Sequence, residues 1–155
     1  MRKGMIAICM LFFLLSGCGS IGDGNKKDSQ LALLKTTDPQ PTKLTDSSTN
    51  KAAAIKREVR KMNEIYDVSV IEGKKEILIA YKVRHLARFK MKKIEKNLKK
   101  KLEKEYPNDH FVVSSDYKIF LESVRLREDM KAGKVSKKEA NKRFEKIIKL
   151  TKERT

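Results

Sequence analysis

Residues 65–83 read "IYDVSVIEGKKEILIAYKV", and this stretch decides the fold. Ile65 to Ile71 is rich in β-branched and aromatic residues, with Tyr66, Val68 and Val70 on one face at a period of two. Glu72-Gly73-Lys74 supplies a turn. Ile77, Ile79, Tyr81 and Val83 then share one face of a second run. Two β-rich runs across a short glycine turn predict a hairpin.

Upstream, Ala52, Ile55, Val59 and Met62 recur at helical spacing and predict an amphipathic helix over 51–64. Downstream, Met91, Ile94, Leu98 and Leu102 form the apolar stripe of the longest helix, Ala87 to Glu105, which Pro107 and Asn108 terminate. "HFVVS" at 110–114 predicts a third strand. Ser115 or Asp116 caps a helix to about Met130 that turns Tyr117, Phe120, Leu121 and Val124 inward. Gly133 breaks it. Ser136 and Glu139 form a capping box for a last helix with Ala140, Phe144, Ile147, Ile148 and Thr151 inside. The order α-β-β-α-β-α-α predicts an α+β domain over 51–155: a small three-stranded sheet with helices packed on one face.

The whole chain has 155 residues, room for one domain, with 37 Lys and Arg against 20 Asp and Glu, a formal charge of +17. Such an excess speaks to an anionic partner: acidic lipid, anionic wall polymer or nucleic acid. Aromatics are only 6%, so the core must be small and mostly aliphatic. Cys9 and Cys18 are the two cysteines, which excludes a disulfide framework or a cysteine zinc site from the body.

The cysteines sit in a leader. Arg2 and Lys3 make a positive start, and Met5 to Leu15, "MIAICMLFFLL", is an apolar run of eleven residues. That is short for a spanning helix, which needs about 20, and suits a signal peptide over 1–17. Leu15-Ser16-Gly17-Cys18 resembles a bacterial lipobox. The resemblance implies diacylglycerol (palmitate-type chains) on the Cys18 thiol, cleavage after Gly17, and an anchor on the extracytoplasmic face of the cell membrane. Two acyl chains hold stably where one is marginal. The uncharged stretch Gly4 to Gly22 also allows an uncleaved anchor, and ordinary secretion is a further alternative. Cleavage removes Arg2, Lys3 and no acid, so +17 becomes +15. Residues 18–50, polar with Pro39, Pro41 and a single apolar cluster "LALL" at 31–34, read as the lipidated N-terminus and a flexible tether.

Together the lipobox, the tether, the run "AAAIKREVRKMNEIYDVSVIEGKKEILIAYKV" and the later "IEKNLKKKLEKEYPNDHFVVSSDYKIFLESV" resemble the sporulation lipoproteins of the YhcN/YlaJ type. The matching features are the Val68-Ser69-Val70 strand, the strand to Val83, the long basic helix and the step Val113-Ser114-Ser115-Asp116 before another helix. The resemblance implies a spore-associated membrane lipoprotein linked with spore formation or germination, with no established chemistry.

The residues themselves offer little chemistry. His85 and His110 are the only histidines, without cysteine neighbours or a two-histidine helical spacing, so no metal is expected. Ser114-Ser115-Asp116 has no nucleophile elbow around it and reads as a helix cap. There is no phosphate loop and no isolated carboxylate pair. Neither an enzyme nor a cofactor is expected. The basic helix is the strongest feature: residues 86–105 carry nine basic residues against three acids, and 131–155 carry ten against three. Lys92, Lys93, Lys96, Lys99, Lys100 and Lys104 are the candidate anion-binding residues. Aromatics are not interleaved with them and arginine is scarce, so nucleic acid is not the expected partner. Anionic lipid, wall polymer such as peptidoglycan or teichoic acid, and envelope proteins remain the candidates, against the bland reading of a merely solvated face.

Overall fold

The computed structural model of the chain describes residues 38–44 and 50–154. Leu15, Ser16, Gly17, Cys18 and the "LALL" cluster lie outside the described residues. The elements are β1 (Thr42–Lys43), α1 (Lys51–Arg60), β2 (Ile65–Glu72), β3 (Ile77–Val83), a 3₁₀ helix (His85–Lys90), α2 (Met91–Glu105), β4 (Phe111–Ser114), α3 (Tyr117–Lys131) and α4 (Lys137–Arg154).

The hairpin forms as expected, β2 antiparallel to β3. β4 joins β3 in parallel after α2, and β1 joins β2 in parallel on the other side. Among the described residues the sheet therefore has four strands in the order β1-β2-β3-β4, one more than the three expected. The added strand is two residues long and flanked by Pro41, too short and too polar to show a period.

A second correction concerns the helices, which cover both faces of the sheet. Val68 and Val70 of β2, Ile79 and Tyr81 of β3, and Phe111 and Val113 of β4 pack with Ile55 and Val59 of α1 and with Ile94, Leu98 and Leu102 of α2. Ile71, Leu78 and Ala80 pack instead with Ile119, Phe120 and Val124 of α3 and with Ala140, Phe144, Ile147 and Ile148 of α4. Period-two alternation sends neighbouring residues to opposite faces, and "ILIA" at 77–80 is apolar at both parities. A strand buried on both sides has to be.

A β-bulge between Ile65 and Asp67 resets the start of β2. The extra residue turns Ile65 into the α1/α2 core and leaves Tyr66 47% exposed, so Tyr66 does not share the inner face with Val68 and Val70. Asp67 is buried, with its Oδ2 3.1 Å from the Lys82 ammonium. That ammonium also lies 4.5 Å from the Phe120 ring centroid, a cation–π contact.

Residues 38–44, expected within the tether, are held on the domain. The Leu44 amide donates to the Glu72 carbonyl at 2.8 Å and the Leu44 side chain is buried. The Asp38 carboxylate pairs with Lys56 at 2.6 Å and with Arg60, and its amide donates to Asp67 Oδ1 at 3.3 Å. Lys56, itself buried, also donates to the Pro39 carbonyl at 2.6 Å. The Lys56 ammonium, followed by Arg60, holds the Asp38 carboxyl below its usual value against the opposing effect of burial.

Helix ends follow the sequence. Asp116 caps α3, accepting from the Lys118 amide at 2.7 Å and the Ile119 amide at 3.3 Å. Ser136 Oγ accepts from the Glu139 amide at 3.2 Å before α4. Gly133, at φ +67°, ends α3 in the left-handed conformation that glycine tolerates best. In α3, Ile119 and Leu126 are buried where Tyr117 and Leu121 were expected; Tyr117 is exposed and Leu121 half-buried. Gly73 has a role its turn position did not reveal: a Cβ there would stand 2.3 Å from Phe144 Cε1, so the hairpin turn is seated directly under the α4 phenyl ring.

Candidate functional site

The α2 stripe turns Ile94, Leu98 and Leu102 into the core. With 3.6 residues per turn, the positions between them must face away. Lys92, Lys93, Lys96, Lys99, Lys100 and Lys104 are all exposed. Lys99 stands 3.9 Å from Glu103, and no ion pair joins the other five to any described residue. Lys101 is different: its ammonium lies 3.1 Å from Glu58 of α1. Thus one lysine of the run braces two helices and the six candidates form a solvated cationic face.

The other basic helix ties three of its cations to the body and leaves Lys138, Lys142, Lys146 and Lys149 exposed. Lys152 reaches Glu76 in the hairpin turn at 2.6 Å, Arg154 reaches Asp116 at 2.7 Å, and Arg143 reaches Asp129 of α3 at 2.7 Å. Beside α4 an open groove of about 550 Å³ is lined by Lys74, Lys75, Lys149 and Lys152 together with Glu76, Glu145 and Glu153. The acids nearly offset the lysines, so the groove is weakly selective for anions.

The turn into α2 was not anticipated. Residues 85–90 form a 3₁₀ helix rather than the first turns of the long α-helix. Ala87 is buried under it, while Leu86 is 87% and Phe89 94% exposed. The sequence signal was there: both side chains fall off the Met91-Ile94-Leu98 stripe, a pattern a single long helix cannot bury. Met91 itself is 38% exposed.

Other groups with chemical potential do not converge on a cavity. Tyr81 is fully buried, and burial, reinforced by the Glu95 carboxylate, pushes its phenol up to about 12. Its oxygen has no partner in hydrogen-bond geometry, although the nearby Ser115 hydroxyl pulls weakly the other way. Burial also raises Glu95. His85 and His110 are both exposed and sit at opposite ends of α2. Among the described residues no cluster of three or more His, Cys, Asp or Glu is placed to hold a metal, and no helix is long and apolar enough to cross a membrane.

Comparison with curated proteins and with solved structures gives no match. Comparison with protein families matches residues 19–149 to Sporulation lipoprotein YhcN/YlaJ, which is not a known enzyme family. The matched span takes in all four strands and the first three helices, and reaches well into α4. On that coverage the chain belongs to the sporulation lipoprotein family YhcN/YlaJ.

Proposed function

We propose that this sporulation lipoprotein acts without catalysis, as a lipid-anchored docking domain in spore formation or germination. Its anchor is diacylglycerol on Cys18, added after recognition of Leu15-Ser16-Gly17, and it stands on the extracytoplasmic face of a spore-associated membrane. The observation that carries the docking role is the α2 face: six exposed lysines on a helix whose opposite side is fixed in the core. An anionic bilayer attracts such a face with about 1 kcal/mol per cation near its surface. A protein already tethered there needs little more to dock, because the tether raises its local concentration.

The test is intact mass and fractionation of the native protein beside Cys18→Ala. The expected result is a mature chain beginning at Cys18 with acyl chains, membrane-bound, and an unprocessed or released variant. An unmodified chain in the soluble fraction would overturn the anchor. For the docking face, Lys92→Ala/Lys93→Ala/Lys96→Ala should leave the anchor in place and reduce salt-sensitive association with phosphatidylglycerol vesicles. Loss of binding to purified wall instead of vesicles would shift the reading to an anionic wall polymer.

A further inference from the structure

Leu86 and Phe89 are the two most exposed large apolar side chains in the described structure, at 87% and 94%. Both belong to the 3₁₀ helix His85–Lys90. With three residues per turn, side chains at i and i+3 eclipse one another. Leu86 and Phe89 therefore project along one edge, while Ala87, one position on, is tucked into the core. Half-exposed Met91 follows at the start of α2.

The sequence around this apolar pair is cationic. Arg88, Lys90, Lys92 and Lys93 lie within four residues of Phe89, and no acid occurs between Arg84 and Ile94. Two large apolar groups on a short protruding turn, followed directly by an exposed lysine face, match the two layers of an anionic bilayer surface. The lysines meet headgroup phosphates, and the leucine and phenyl side chains pass between them to the acyl boundary. An ordinary solvated turn needs no such pair, and a polar anionic polymer would offer the phenyl ring nothing apolar to enter.

We infer that the turn His85–Met91 is a membrane-inserting wedge, with Leu86 and Phe89 entering the interface of an anionic bilayer while the α2 lysines hold its headgroups. The inference rests on the membrane-docking reading above and adds the part that would fix which side of the domain faces the lipid.

The chain contains no tryptophan, so one introduced indole reports its site alone. Phe89→Trp keeps an aromatic at an exposed position and does not disturb the core. The lipidated full chain carrying it is reconstituted in vesicles of equal parts phosphatidylglycerol and phosphatidylcholine, with Tyr117→Trp as an exposed control remote in sequence. Emission of the indole in the Phe89→Trp chain should shift to the blue and be quenched by brominated acyl chains, about threefold or more beyond that of the control. In phosphatidylcholine alone, or with Lys92→Glu/Lys93→Glu, the docked fraction relative to undocked should fall by about tenfold. Protein that floats with the vesicles while the Phe89→Trp indole emits as in water overturns the wedge and leaves the anchor standing. A blue shift that grows with protein surface density but ignores brominated lipid means that a second copy covers the turn, which also overturns it. Protein that fails to float with vesicles at all refutes the membrane reading and the wedge with it.

Discussion

α2 and α4 look alike as sequence: both are amphipathic, lysine-rich and heavily positive. In the structure they differ in what their charges meet. Three cations of α4 reach across to the body, Lys152 to Glu76, Arg143 to Asp129 and Arg154 to Asp116, while Lys138, Lys142, Lys146 and Lys149 stay exposed. Lys101 of α2 does the same with Glu58, but the candidate lysines beside it face solvent. Net charge alone does not separate a cation that braces the fold from one that is presented outward. The positions of the acids on neighbouring elements do.

Substitutions can break or sharpen this contrast. The two helices should be equally sensitive on their inner faces: Leu98→Ala in α2 should cost about 2–5 kcal/mol and Phe144→Ala in α4 about 3–5, read by urea unfolding. Next in size is Gly73→Ala, which places a methyl against the buried Phe144 ring. A cost of about 1–3 kcal/mol is expected, partly recovered by adding Phe144→Leu; an undiminished cost in the double variant would show that the ring is not the obstacle. Below that lies the clasp at Asp116, where Asp116→Ala removes both the α3 cap and the Arg154 partner for about 1–2 kcal/mol.

The same clasp has a pH signature. Burial raises the Asp116 carboxyl, but the Arg154 guanidinium and the Lys118 and Ile119 amides outweigh it and hold the group below 3.8. Its contribution is therefore complete above about pH 3.8, the unfolded-state value, and is lost as pH falls through the lower folded-state value. Asp116→Asn keeps a capping side chain and loses the charge, so the stability gap to the native chain should close in that acid range. A gap independent of pH would assign the effect to the cap alone.

Smallest of all should be Lys92→Ala, Lys93→Ala and Lys96→Ala, each within about 0.5 kcal/mol of the native stability. On vesicles the order inverts: these three should matter most, and Arg143→Ala in α4 should matter little. A large stability loss from the α2 lysines would place them in the scaffold and not on a docking face.

The same residues explain what was legible beforehand. The hairpin was, because two β-rich runs, residues 65–71 and 77–83, flank a short glycine turn. The buried stripe of α4 was legible throughout, since Ala140, Phe144, Ile147, Ile148 and Thr151 keep helical spacing. β1 was not: two residues next to a proline carry no period, and its parallel pairing with Ile71 and Glu72 is a long-range event. The second covered face was visible in principle in the unbroken apolarity of "ILIA" at 77–80. As for the candidate site, the lysines could be named from the sequence. The Leu86–Phe89 turn left only the off-stripe placement of its two side chains as a signal, because a 3₁₀ entry differs from an α-helical one only in the half-turn that decides what is left uncovered.

The lengths of the strands have one further consequence. Among the described residues, β2 and β3 span eight and seven residues in the middle of the sheet, while the edges are β1 with two and β4 with four. Pro39 and Pro41 lead into β1 and bring no amide hydrogens to that margin. Open backbone rungs are where one sheet recruits another into a growing ribbon. A protein confined to a surface meets its own copies far more often than one in solution. Cropped, proline-guarded margins disfavour edge-to-edge pairing between such copies.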